Sequence, residues 1–80
     1  MLEKLKDSPK VVGTRRLLKT LANGSVDVAF LGSDADLFIV RQVRSAAEAA
    51  GVRLVEQFTM KQLGEACGVE VPTAACGLLR

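Results

Sequence analysis

Residues 37–55, LFIVRQVRSAAEAAGVRLV, decide the architecture of this chain. Ile39, Val40, Val43, Ala46, Ala47 and Ala50 recur at helical spacing while Arg41, Arg44, Ser45 and Glu48 fall on the opposite side, so the pattern predicts an amphipathic helix from Leu37 to Ala50. Gly51 stands where a helix can end in left-handed backbone, and Val52 to Val55 is a β-type run. Helix, glycine and strand thus follow one another without a linker. The same unit recurs on both sides. Gly24 follows Leu21-Ala22-Asn23 and precedes Val26 to Leu31; Gly68 follows Glu65-Ala66-Cys67 and precedes Val69 to Val71, expected to lead as β structure into Thr73 to Leu79.

The remaining elements fill in around these units. Leu17, Leu18 and Leu21 share one face of a helix expected from Thr14 to Asn23, and a further helix is expected from about Met60 to Cys67. A short helix is expected within Leu2 to Lys6, and Pro9 separates it from a short strand at Val11-Val12. Val28-Ala29-Phe30-Leu31 is continuously apolar, as a strand covered on both faces must be. Alternating helices and strands predict an α/β fold: a three-layer α/β/α sandwich around a small mixed four-stranded sheet, one domain over residues 1–80.

Composition narrows the chemistry. The chain has no histidine, tryptophan or tyrosine, which removes the commonest general base and the commonest transition-metal ligand, so neither an enzyme, a cofactor nor a metal is expected. Cys67 and Cys76 lie in apolar runs and read as reduced core thiols. No apolar run is long enough to span a membrane and no basic-then-apolar leader is seen, so a cytoplasmic protein is expected. The net charge is only +2, but residues 1–24 carry six basic and two acidic side chains, a balance of +4, leaving −2 for residues 25–80. A basic third on a mildly acidic body is the footprint of a polyanion partner, or else an ordinary solvated surface.

Gly13-Thr14-Arg15-Arg16-Leu17-Leu18-Lys19 concentrates that charge. Thr14 is expected to cap the helix, and Arg15 and Arg16 then sit in a first turn whose macrodipole disfavours cations unless an anion is near. A phosphate would meet both demands. The spacing is neither that of a P-loop nor that of a dinucleotide fingerprint. Asp34-Ala35-Asp36 before the next helix reads as capping, with either carboxylate able to serve. Gln57-Phe58-Thr59 lies between the third strand and the last helix, where Phe58 can stack on an unpaired base or close the sheet edge as core.

Gly13-Thr14 with Lys19, Asn23-Gly24-Ser25-Val26, Ser33-Asp34-Ala35-Asp36 and Lys61-Gln62-Leu63-Gly64-Glu65-Ala66-Cys67-Gly68, in that order from about residue 8 to residue 79, resemble the kink-turn RNA-binding ribosomal proteins of the L-seven-Ae and L-thirty-e type. The small bacterial members are the nearest in character. The resemblance implies an α/β/α sandwich that binds a sharply bent RNA duplex with tandem sheared G·A pairs. By this likeness Gly13 and Thr14 approach the RNA backbone, Arg15 and Arg16 face the G·A edges, Lys19 binds phosphate or a guanine edge, Asp36 occupies the family's acidic position, and Gln57, Phe58 and Thr59 cover an extruded nucleotide; Lys10 is expected to join Arg15, Arg16 and Lys19 in neutralising phosphate.

Four positions depart from the family pattern. Many members carry Asn-Glu at Arg15-Arg16; a carboxylate accepts from guanine, whereas arginine only donates, so these arginines are left to guanine O6/N7 or phosphate. Leu37 replaces a proline, and Phe58 replaces a smaller or polar residue. The reading implied is a non-catalytic, ribosome-associated protein that binds kink-turns in structured RNA such as ribosomal RNA or a riboswitch, acting as a monomer. The alternative is a scaffold or regulatory protein of the same fold that binds protein partners.

Overall fold

The computed structural model describes residues 2–80. Its elements are α1 (Glu3–Asp7), β1 (Lys10–Val12), α2 (Thr14–Ala22), β2 (Val26–Leu31), α3 (Leu37–Ala50), β3 (Arg53–Val55), α4 (Met60–Cys67) and β4 (Ala75–Leu79). The four strands form one mixed sheet in the order β1-β4-β2-β3. Strand β4 pairs antiparallel with both β1 and β2, while β2 pairs parallel with β3. Strands β1, β2 and β3 therefore run in one direction, and their C-terminal ends meet the start of β4 along one rim.

Alternation along each strand divides the core in two. On one face Leu5 of α1 and Leu63 and Cys67 of α4 pack on Phe30, Val55, Cys76 and Leu78; on the other Leu17 and Leu21 of α2 and Val43 and Ala47 of α3 cover Val26, Ala29, Leu31 and Ala75. This is the expected three-layer sandwich. Val26 should share a face with Val28 and Phe30 by simple alternation, yet it packs with α2 and α3. The register explains it: Val26 faces Leu79 and Val28 faces Leu78, so Asp27 is an extra residue, a β-bulge that turns Val26 over. Gly77 in β4 lets α2 sit close, since a Cβ there would lie 2.7 Å from Leu17 Cδ1 and 3.3 Å from Val26 Cγ1.

Two expectations are corrected. Val69 to Val71 is loop, and β4 begins only at Ala75. After α4 the Val69 amide donates to the Gly64 carbonyl at 3.0 Å, wrapping the chain back on the helix, and Pro72 has no amide to offer a ladder. Val71 is 66% exposed, apolar without a partner strand. Thr14 is not the cap of α2 but its first helical residue. The cap position belongs to Gly13, whose φ of 107° and ψ of 146° lie where only glycine is comfortable, and no side chain caps this end. Gly13 takes that shape because its amide still follows the sheet, donating to the Ala75 carbonyl at 2.9 Å, while its carbonyl already accepts from Leu17 at 3.0 Å.

Candidate nucleic-acid interface

The rim formed by the strand ends carries the connections that hold the Gly13, Asp34-Ala35-Asp36 and Gln57-Phe58-Thr59 segments. Gly13 links β1 to α2, residues 32–36 link β2 to α3, residues 56–59 link β3 to α4, and residues 68–74 return to β4. These loops hold one another. The Ser33 amide donates to the Phe58 carbonyl at 2.8 Å, the Gly32 amide to the Ala74 carbonyl at 2.8 Å, and the Thr73 amide to the Met60 carbonyl at 3.0 Å. Asp34 Oδ1 accepts from the Met60 amide at 2.8 Å, so this carboxylate caps a helix 26 residues away, while Asp36 Oδ1 accepts from Phe38 and caps its own helix at 2.8 Å. Both aspartates are caps, each on a different helix.

At the start of α2 the amides of Thr14, Arg15 and Arg16 find no acceptor among the described residues, because the cap is a glycine. Arg15, Arg16 and Lys19 are exposed, and at three- and four-residue spacing they form one stripe beside these amides. First-turn acids are absent from α2, so this end combines unpaired donors, the positive pole of the helix and two guanidinium groups that have no ion pair among the described residues. Donors and charge of this kind can hold an anion.

The other predicted residues divide. Gln57 is exposed on the rim, and Phe58 is half-buried against the α1–α4 core cluster, where Leu63 and Val55 lie, so much of its ring is core. Thr59 closes a capping box on α4: Gln62 donates its amide to Thr59 Oγ1 at 3.2 Å, and Gln62 Oε1 accepts from the Thr59 amide at 2.9 Å. Lys10 stands apart. It is on the strand face covered by α1, its Nζ donating to the Lys6 carbonyl at 3.4 Å, so the sheet separates it from the α2 stripe. The structure adds residues the sequence reading assigned to no site: Leu37 and Phe38 in the first turn of α3 are 61% and 68% exposed, and Val71, 66% exposed, lies in the loop that returns to the rim. Two adjacent apolar residues at the start of an otherwise amphipathic helix were the available signal.

Among the described residues no group of three or more His, Cys, Asp or Glu side chains could hold a metal ion, and no helix is long and apolar enough to cross a membrane. Cys67 and Cys76 are free and buried in one cluster; burial foremost, then the neighbouring Cys67, pushes the Cys76 thiol well above the ordinary thiol range.

Comparison with known proteins places this geometry. The model of the ribosomal protein L7Ae/L30e/S12e/Gadd45 family matches residues 1–80. The chain belongs to this family. Among curated relatives, the RNA-binding protein YbxF of Geobacillus stearothermophilus is 37% identical over 70 residues, covering 88% of this chain and 85% of that one. The RNA-binding protein TTE2299 of Caldanaerobacter subterraneus is 35% identical over 65 residues, covering 81% and 79%. Among solved structures, the 15.5 kD RNA-binding protein of Giardia lamblia superposes with a TM-score of 0.91 at 28% identity, over 99% of this chain and 70% of that one. A protein of unknown function from Bacillus halodurans superposes at 0.89 with 19% identity, a likeness of fold alone. The α/β fold expected from alternating helix, glycine and strand is thus shared with these structures, and the family is the one that the motifs resemble.

Proposed function

We propose that this L7Ae-family protein is a non-catalytic RNA-binding module whose α2 N-terminus docks on a kink-turn, in ribosomal or other structured RNA. The observation that carries the reading is the uncapped first turn of α2, where three unpaired amides stand beside exposed Arg15 and Arg16. The amides and Lys19 suit phosphate; the guanidinium forks suit guanine O6/N7 or phosphate, both acceptors. Gln57 and the exposed part of Phe58 border the same rim and are assigned to an extruded nucleotide, while Thr59 and Asp36 support it by capping α4 and α3. Lys10 contributes at most a long-range positive potential from the far face. The names of relatives as RNA-binding proteins support the ligand class.

The test is fluorescence anisotropy with a kink-turn duplex and the same duplex in which the G·A pairs are made Watson–Crick. The intact kink-turn is expected to bind more tightly, with log K falling with log salt by about 0.9 per phosphate neutralised. Arg16→Ala separates the two roles: loss of discrimination between the duplexes marks base reading, and uniform weakening with a salt slope lower by about one marks a phosphate contact. Equal affinity for both duplexes refutes kink-turn recognition, and absence of binding to either leaves the protein-binding scaffold as the reading.

A further inference from the structure

We infer that the first turn of α3 is a second recognition element, a platform on which Phe38 stacks an unpaired nucleobase while Arg41 holds the adjoining phosphate. The inference rests on the RNA-binding reading above and adds a site to it.

Phe38 is 68% exposed and Leu37 61%, whereas Phe30 is fully buried and Phe58 half-buried against the core. Its place in the helix is not a packing requirement: Ile39, Val40 and Val43 supply the face that covers the sheet. Arg41 lies three residues after Phe38 and four after Leu37, which brings its guanidinium alongside both on the helix surface. It is exposed and carries no ion pair among the described residues, in contrast to Arg44, which is held by Glu56 at 2.8 Å. An exposed aromatic ring beside an unneutralised arginine matches the two halves of a nucleotide, a π-face and a phosphate.

Position ties the platform to α2. Both helices start at the rim, and the groove between them is lined by Leu18, Leu21 and Ala22 on one side and Ala46, Ala49 and Ala50 on the other. The first turn of α3 therefore lies on the same rim as the unpaired amides of α2. RNA docked on those amides passes this turn, where the exposed ring of Phe38 is open to an unpaired nucleotide. The Asp36 cap, whose Oδ1 accepts from the Phe38 amide at 2.8 Å, fixes the turn that carries the ring.

The experiment uses the full chain and a kink-turn RNA in which each unpaired nucleotide in turn is replaced by 2-aminopurine. One position is expected to be quenched on binding and to recover its fluorescence with Phe38→Ala. That variant is expected to keep its melting temperature and to bind about 5- to 140-fold more weakly, the range for loss of one stacked base. Phe38→Trp is expected to bind as tightly as the parent, and Phe38→Leu, apolar without a π-face, as weakly as Phe38→Ala. Affinity unchanged in Phe38→Ala, with the kink-turn preference intact, overturns the platform and leaves the α2 reading standing. Parental affinity in Phe38→Leu also overturns it, since the contact would then be apolar rather than stacking. Failure of the unsubstituted protein to prefer the kink-turn refutes the α2 reading instead.

Discussion

Gly64→Ala sets two effects against each other inside α4. In a helix interior alanine is favoured over glycine by about 0.8–1.0 kcal/mol, so propensity alone predicts a more stable protein. Gly64 is buried in the middle of α4, and a Cβ there would drive into the backbone carbonyl of Val71, with the Pro72 Cα 3.4 Å away. A side chain could swing aside, but this obstacle is backbone held on both flanks: the Val69 amide donates to Gly64 at 3.0 Å and the Thr73 amide to Met60 at 3.0 Å. Forcing a methyl into such a contact costs about 1–3 kcal/mol, occasionally more. With fixed backbone as the obstacle the cost lies in the upper part of that range, about 2–3 kcal/mol, so the clash wins by about 1–2 kcal/mol, which for a domain of this size lowers Tm by roughly 5–15 °C. Paired thermal and urea melts measure it, the urea series with m unchanged if only the native state is strained. A Tm equal to or above the parent would show that the Val71–Pro72 loop yields freely, and would refute the account of that loop as a fixed part of the rim.

Three further outcomes follow from the same rim and core. Asp34→Ala removes the acceptor of the Met60 amide and is expected to cost about 1 kcal/mol in urea unfolding, while Asp34→Asn, which keeps an acceptor, costs less. A double-mutant cycle on Arg44 and Glu56, whose side chains are 60% and 38% exposed, should return a coupling below about 1 kcal/mol that shrinks with added salt. Cys76, buried with its thiol raised above the ordinary range, should resist alkylation in the native protein at neutral pH and react once unfolded. The linkage has a definite sign. The folded state holds the thiol proton more tightly than the unfolded chain, so its contribution is intact below the ordinary thiol range and is lost as pH rises above it. A stability that stayed flat through alkaline pH would contradict the burial of this group.

Helices α3 and α4 were legible to the residue because their signals are local: apolar spacing inside the element and glycine at Gly51 and Gly68 where each ends. The strand expected at Val69 to Val71 failed because β-type composition says only that a segment fits a sheet, and the sheet had already been filled by Ala75–Leu79. The capping role of the Asp34–Asp36 pair was readable, but not that Asp34 serves α4, since that hydrogen bond crosses 26 residues. Thr14 looked like a cap by residue type; the Gly13–Ala75 hydrogen bond moved the boundary by one residue and left the helix end uncapped.

From sequence alone came the elements, their α/β alternation, the basic stripe of Arg15, Arg16 and Lys19 and the absence of histidine, because each depends on neighbours in the chain or on composition. Tertiary structure decided the strand order β1-β4-β2-β3, the bulge at Asp27, the removal of Lys10 to the opposite face and the gathering of α2, α3 and their loops on one rim. These depend on pairings between distant segments, whose geometry is set by burying two apolar faces at once, and no local spacing records it.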